Sequence, residues 1–256
     1  MKRRLLFYLL TITTLSAATP EQVDRYLSIS NADEQLVELE AQFSRMQNNL
    51  NRMRDDEETE SYDMEMLSIR FKEYLQQNLS DSEMDEILDA YKNVLLLQFV
   101  SASAEAQQTD PSEIEKYLQT LQEDPDAQKR MLLVEEISDA LYDKDSLAIM
   151  FDNLIKPLMQ NAPGGDTIDS KAIDRMKESY VKRMQKEIRN ETLFAVREFT
   201  IEELEALESL SQQSALHKES KAVFGATAYA LQEFFLSLAN RYDLSKHTPK
   251  PSEKTP

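Results

Sequence analysis

The sequence predicts an all-α protein of about ten helices, and three observations carry that prediction. Only three of the 256 residues are glycine, where average usage near 7% would give about 18. Apolar residues recur at helical spacing almost without interruption from Glu21 to Tyr242. The breaks are marked by helix-capping residues and not by glycine turns. The same scarcity of glycine excludes phosphate loops, dinucleotide fingerprints and most hairpin-built β folds, which need it at fixed positions.

Taken in order, residues 1–18 place Lys2, Arg3 and Arg4 ahead of an apolar stretch from Leu5 to Leu15, with Ser16 and Ala18 at positions −3 and −1 of a cleavage site after Ala18. This is the pattern of a secretory signal peptide. The apolar stretch is shorter than the roughly 20 residues of a membrane span, and no Cys follows to carry a lipid. Export to the periplasm is the expectation, with no stable membrane span after cleavage. Helices then follow over 21–29, 33–53 and 61–77, the last two separated by the acidic run Asp55, Asp56, Glu57, Glu58 and Glu60, which reads as a solvated loop. Ser80 and Glu83 have capping-box spacing and open a long helix over 81–107. Asp110-Pro111-Ser112-Glu113 sets an acidic cap before a proline at the first helical position and opens 112–122; Asp124-Pro125 repeats the device before 126–142. Helices over 145–160 and 168–198 flank Asn161 to Asp166, which holds Gly164 and Gly165 and reads as the clearest internal loop. Thr200 and Glu203 form a second capping box ahead of 201–213, and a helix over 216–242 closes the ordered chain. Leu244 to Pro256 is rich in proline and lysine and reads as a disordered tail.

Three matches recur in the same order in both halves. Val23-Asp-Arg-Tyr-Leu27 resembles Ile114-Glu-Lys-Tyr-Leu118, Ser80 to Met84 resembles Thr200 to Leu204, and Phe99 to Ala106 resembles Val223 to Ala230 with alanines at identical steps. An internal duplication follows, with related helical-bundle units over 19–108 and 110–243 packed in tandem. Each unit would end in a helix apolar on most sides, 94–100 in the first and 223–238 in the second, and such a helix belongs in the middle of a bundle. Small residues along both, Gly225 among them, would let neighbours approach closely; Gly225 costs about 1 kcal/mol in a helix interior relative to Ala, so a packing reason is expected.

The segment beginning Thr200, Glu203, Leu204 resembles an all-helical domain of unknown function found in exported proteins of Gram-negative bacteria. Its second half opens Thr-x-x-Glu-Leu and runs to Phe-Tyr-x-Ser-Pro-x-Gly-x-Lys. Lys218 matches the final basic residue, whereas Leu210 and Ser211 replace the aromatic pair, Ser214 the proline and Leu216 the glycine. Val23 to Phe43 is similar to the family's first helices. The resemblance implies a periplasmic helical domain, present as two divergent copies, and supplies no catalytic residues.

The chain carries 29 Lys and Arg against 47 Asp and Glu, a net charge of −18, and loss of Lys2, Arg3 and Arg4 would leave it more acidic. Such a surface repels nucleic acid and anionic lipid. With no Cys, thiol nucleophiles, Cys-bound metals and disulfides drop out. A Ser-His-Asp triad needs a histidine, and only His217, at a helix start, and His247, in the tail, are present; both read as polar surface. Neither follows a Glu at the spacing of helical di-iron sites. Asp143-Lys-Asp145 starts like a calcium loop but lacks its glycine and distal Glu. Met64, Met66, Met176 and Met184 read as core filling, and Tyr26, Tyr74 and Tyr117 as core residues with hydroxyls at the rim. No catalytic, cofactor-binding or metal-binding residue is therefore assigned. The expected role is non-catalytic: binding, scaffolding or chaperoning of envelope partners through a groove between helices or an acidic face. A hydrolase acting on envelope glycans through paired carboxylates is the alternative, and a homo-oligomeric structural protein a third. A cleft with two carboxylates about 5 to 9.5 Å apart would favour the enzyme.

Overall fold

A computed structural model describes residues 16–52, 62–121, 123, 125–161 and 168–241. The start of the expected signal peptide, the acidic run at 55–60, Asp124, Gly164 and Gly165, and the tail with His247 lie outside the described residues. The fold is all-α, as predicted. Its helices are α1 (Pro20–Ile29), α2 (Ala32–Arg52), α3 (Glu65–Asn78), α4 (Asp81–Ala90), α5 (Val94–Gln108), α6 (Pro111–Leu121), α7 (Ala127–Leu141), α8 (Lys144–Met150), α9 (Lys156–Asn161), α10 (Ser170–Ala195), α11 (Ile201–Ser211) and α12 (Ser214–Arg241). A π turn, Phe151–Ile155, joins α8 to α9.

Side-chain capping explains several of the boundaries. The boxes at Ser80–Glu83 and Thr200–Glu203 both form, side chain to backbone in each direction. A third, Thr19–Gln22, opens α1 ahead of Pro20. Asp110 accepts from the Ser112 N–H at 2.8 Å before Pro111 starts α6. Asn31 adopts the left-handed conformation, φ 61°, that turns the chain from α1 into α2, a conformation Asn tolerates better than most residues.

The helix expected over 81–107 is two helices. Tyr91, Lys92 and Asn93 interrupt it, and Asn93 caps α5 by accepting from the Leu95 N–H at 2.9 Å. The apolar periodicity continues across the break, so pattern alone hides it. The π turn has a local cause in Pro157, which has no N–H for the Asn153 carbonyl and whose ring would crowd it. Widening the turn relieves that contact, and the Lys156 N–H reaches back five residues to the Phe151 carbonyl.

Helix α12 is central, packed on α3, α4, α7, α8, α9 and the π turn. Its Ala222, Ala226, Ala228 and Ala230 are buried and Phe234 is fully enclosed. Phe43 of α2 meets Phe234 and Phe235 edge-on at centroid separations of 4.8 and 5.5 Å. Gly225 has the packing reason expected of it: a Cβ there would lie 2.6 Å from both Cε1 and Cζ of Tyr74. Helix α5 differs from the sequence expectation. Leu96 and Phe99 are buried, but Val94 is 68% and Leu97 38% exposed, so α5 lies against α10 and α11 with one face in solvent. Helices from 19–108 and 110–243 interleave around one main core, with α12 against α3 and α4, and α5 meets α10 around a small second cluster of Ala106, Phe194 and Ala195. The expected tandem units are thus not separately cored.

Residues Ser16 to Ala18, the end of the expected signal segment, are integrated into this fold. The Ala18 N–H donates to the Leu79 carbonyl at 2.9 Å and the Asp81 N–H to the Ser16 carbonyl at 2.8 Å, with Ala17 bridged to Ser80. Ala18 is 5% exposed.

Candidate functional site

Four helices converge on one half-buried carboxylate. Glu219 lies on the inward face of α12, one turn beyond Leu216 and one turn before Val223. Tyr26 of α1 and Tyr91, the cap residue that ends α4, both donate their hydroxyls to Glu219 Oε1, at 2.7 and 2.5 Å. The two rings meet edge-to-face at 6.0 Å, so each tyrosine holds the other in place. Tyr142, which ends α7, completes the ring of aromatics and packs edge-on against Phe224 at 6.4 Å.

These residues wall a cavity of about 260 Å³. Leu96, Phe99 and Val100 of α5 supply much of its apolar lining. Gln35 of α2 and Gln107 of α5, which also line it, sit within 3.5 Å of each other. Ser220 borders the cavity with a buried hydroxyl oxygen that has no partner. A wider depression of about 720 Å³ lies elsewhere, lined by charged surface side chains including Arg25, Asp85, Glu86, Asp89 and Lys92. Its charged groups face solvent, and Lys92 pairs with Asp89 at 2.6 Å.

The electrostatics of the cavity follow from burial. Desolvation pushes the Glu219 carboxyl above its ordinary value, and the hydrogen bonds from Tyr91 and Tyr26 pull it partly back. Burial and the neighbouring Glu219 carboxylate hold the Tyr26 and Tyr91 hydroxyls well above the usual range, so they stay protonated donors. Tyr142 is pushed up to about 12 by burial and then by Glu219 and Glu191. Among the described residues no basic side chain pairs with Glu219. The adjacent Lys218 points away, to Glu83 at 3.3 Å and Glu86 at 3.5 Å. The cavity is therefore apolar, aromatic and centred on one uncompensated acidic group. Among the described residues no second carboxylate lines it.

The residues weighed in the sequence lie elsewhere. His217 is half-buried with Nδ1 3.8 Å from Asp143 Oδ2, and Asp143 is engaged as the cap of α8, accepting from the Ser146 N–H at 2.8 Å. Met64 and Met66 pack against the core, whereas Met176 is largely exposed. Tyr26 departs from the expected rim position: its hydroxyl lies inside, on Glu219. Among the described residues no three His, Asp or Glu side chains are grouped to hold a metal, and no helix is long and apolar enough to cross a membrane. The available sequence signal for the site was Glu219 itself, a charged residue on the apolar stripe of α12. No family model, curated protein or solved structure matches the chain.

Proposed function

We propose that this is an exported, non-catalytic binding protein of the bacterial periplasm that holds a small ligand in the Glu219 cavity. The observation that carries the reading is the cavity itself: one carboxylate oriented by two tyrosine hydroxyls and enclosed by apolar and aromatic walls, the composition typical of ligand sites. The charged n-region, apolar stretch and small residues of 1–18 support export, and the resemblance around Thr200 to exported helical domains supports the same compartment. The paired capping boxes that open α4 and α11 support descent from a duplicated unit. Glycoside cleavage requires an acid and a second carboxylate on opposite sides of the bond, and Glu219 has no such companion in the cavity.

A fragment library screened by NMR tests the reading. Shifts confined to the ring resonances of Tyr26, Tyr91 and Tyr142 are expected. Turnover of cell-wall glycan by the purified protein, lost in Glu219→Gln, would replace binding with hydrolysis.

A further inference from the structure

We infer that the cavity selects an organic ammonium ion, a primary or methylated amine whose positive head faces Glu219 and whose carbon groups lie against the aromatic walls. The inference rests on the binding reading above and adds the charge and class of the ligand.

Three features of the site lead to it. First, the half-buried Glu219 carboxylate receives only neutral hydroxyls from the described residues, so its charge is left for a ligand to pair. Tyr26 and Tyr91 both engage Oε1, and among the described residues no Lys, Arg or His lines the cavity. An incoming cation would meet an acidic group whose attraction is little screened there. Second, five aromatic rings, Tyr26, Tyr91, Tyr142, Phe99 and Phe224, share the lining of the cavity with aliphatic side chains. Aromatic rings attract cations through their quadrupoles, and quaternary ammonium heads are recognised by such groups of rings. A metal ion would be served poorly, because it demands several oxygen ligands and water and the wall offers carbon. Third, the volume of about 260 Å³ admits a small amine and excludes a folded peptide segment. An anion is disfavoured by Glu219, and a purely apolar molecule would leave the carboxylate desolvated without a partner.

The test compares choline with its neutral carbon isostere, dimethylbutanol, by titration calorimetry and by NMR of the tyrosine rings, on the wild-type protein and on Glu219→Gln. Choline is expected to bind the wild type at least about tenfold tighter than the isostere, the difference that one desolvated cation–π and charge contact supplies. Glu219→Gln is expected to reduce that preference, leaving only the part the aromatic rings supply, while keeping the isostere's affinity. Equal binding of both probes to the wild type overturns the ammonium assignment and leaves the binding reading standing. Failure of both probes, and of a fragment library, to shift the tyrosine rings overturns both. Because the wild-type comparison alone decides the ligand class, a Glu219→Gln variant that fails to fold does not rescue the inference; Tyr142→Leu then serves as the second variant, with choline affinity expected to fall.

Discussion

Gly225 of α12 lies directly beneath the ring of Tyr74 on α3, so close that any side chain there would collide with the ring's Cε1 and Cζ at 2.6 Å. The glycine is kept at a cost to helix propensity because the two helices meet through that ring. Gly225→Ala gains about 1 kcal/mol of propensity but forces Tyr74 off its contact with Tyr229, whose ring is 5.7 Å away. The usual cost of overpacking, about 1–3 kcal/mol, less that gain leaves an expected net loss of up to about 2 kcal/mol. In a Tyr74→Ala background the same change should become stabilising by about 1 kcal/mol. Urea unfolding of the four proteins checks the change of sign.

What the sequence exposes here is local. The boxes at Ser80–Glu83 and Thr200–Glu203 could be read because each is closed by residues three apart. Gly225 could be flagged because a lone glycine in a helix asks for a neighbour. The break at Tyr91 to Asn93 was hidden, since Asn93 sits next to an apolar run that continues the helical period. The cavity was hidden for a different reason: Tyr26 and Glu219 are 193 residues apart and Tyr91 and Glu219 are 128 apart. Only the packing of α4 on α12 and of α1 on α4 brings them together. Tyrosine on an apolar stripe does not announce where its hydroxyl goes. The exposure of Val94 and Leu97 shows the converse, an apolar run that the fold leaves half in solvent.

Glu219 gives stability a pH dependence whose sign can be fixed. Its folded-state value is raised by burial, so the folded protein keeps a proton that the unfolded chain has released. The stability it contributes is fully present below the ordinary glutamate range and is lost as pH rises through the raised value. Glu83 acts in the opposite sense: hydrogen bonds from Ser80 hold it low, so its contribution is lost as pH falls. Glu219→Gln keeps an oxygen to accept the tyrosine hydroxyls and removes the charge. It should match the wild type in acid and exceed its stability at neutral pH. A melting series from pH 4 to 8 checks this, and parallel curves would contradict a buried ionisable Glu219.

Tyr91→Phe isolates one of the two donors. At neutral pH it should cost about 1.5–3 kcal/mol, the range for a hydrogen bond to a charged group. It should also raise the Glu219 carboxyl further, since that bond stabilises the ionised form. In the Glu219→Gln background the cost should fall to about 1 kcal/mol, the neutral hydrogen-bond value. Carbon-detected NMR titration of the Glu219 side chain together with chemical unfolding provides both readouts.

Arg130 is buried in α7 and donates to the Val196 carbonyl at 3.0 Å and the Phe199 carbonyl at 2.9 Å. Both acceptors lie where α10 ends and the chain turns into α11, and a guanidinium there satisfies carbonyls that the helix end leaves over. Arg130→Met should cost about 2–4 kcal/mol through two lost charge-assisted bonds. Hydrogen exchange should speed up between Arg197 and Thr200 more than at α1. Uniform acceleration would assign the loss to packing alone.

The pairing of Ser16 to Ala18 with Leu79 to Asp81 makes the position of the N-terminus a determinant of stability. A chain starting at Thr19 gives up the hydrogen bonds of Ala18 and Ser16 with Leu79 and Asp81, each worth about 0.5–1.5 kcal/mol, and the burial of Ala18. It also places a new ammonium at the N-terminus of α1, where the helix dipole disfavours positive charge. The Thr19–Gln22 box survives, because the Thr19 nitrogen still reaches Gln22 Oε1 at 2.8 Å. A protein starting at Ser16 should therefore be more stable than one starting at Thr19 by about 1–3 kcal/mol, a difference of several degrees in Tm for a chain of this size. In the shorter chain the Asp81 amide should lose its exchange protection. Equal melting of the two forms would mean that the pairing contributes nothing, and the intact mass of the protein isolated from its native cells would tell which N-terminus it carries.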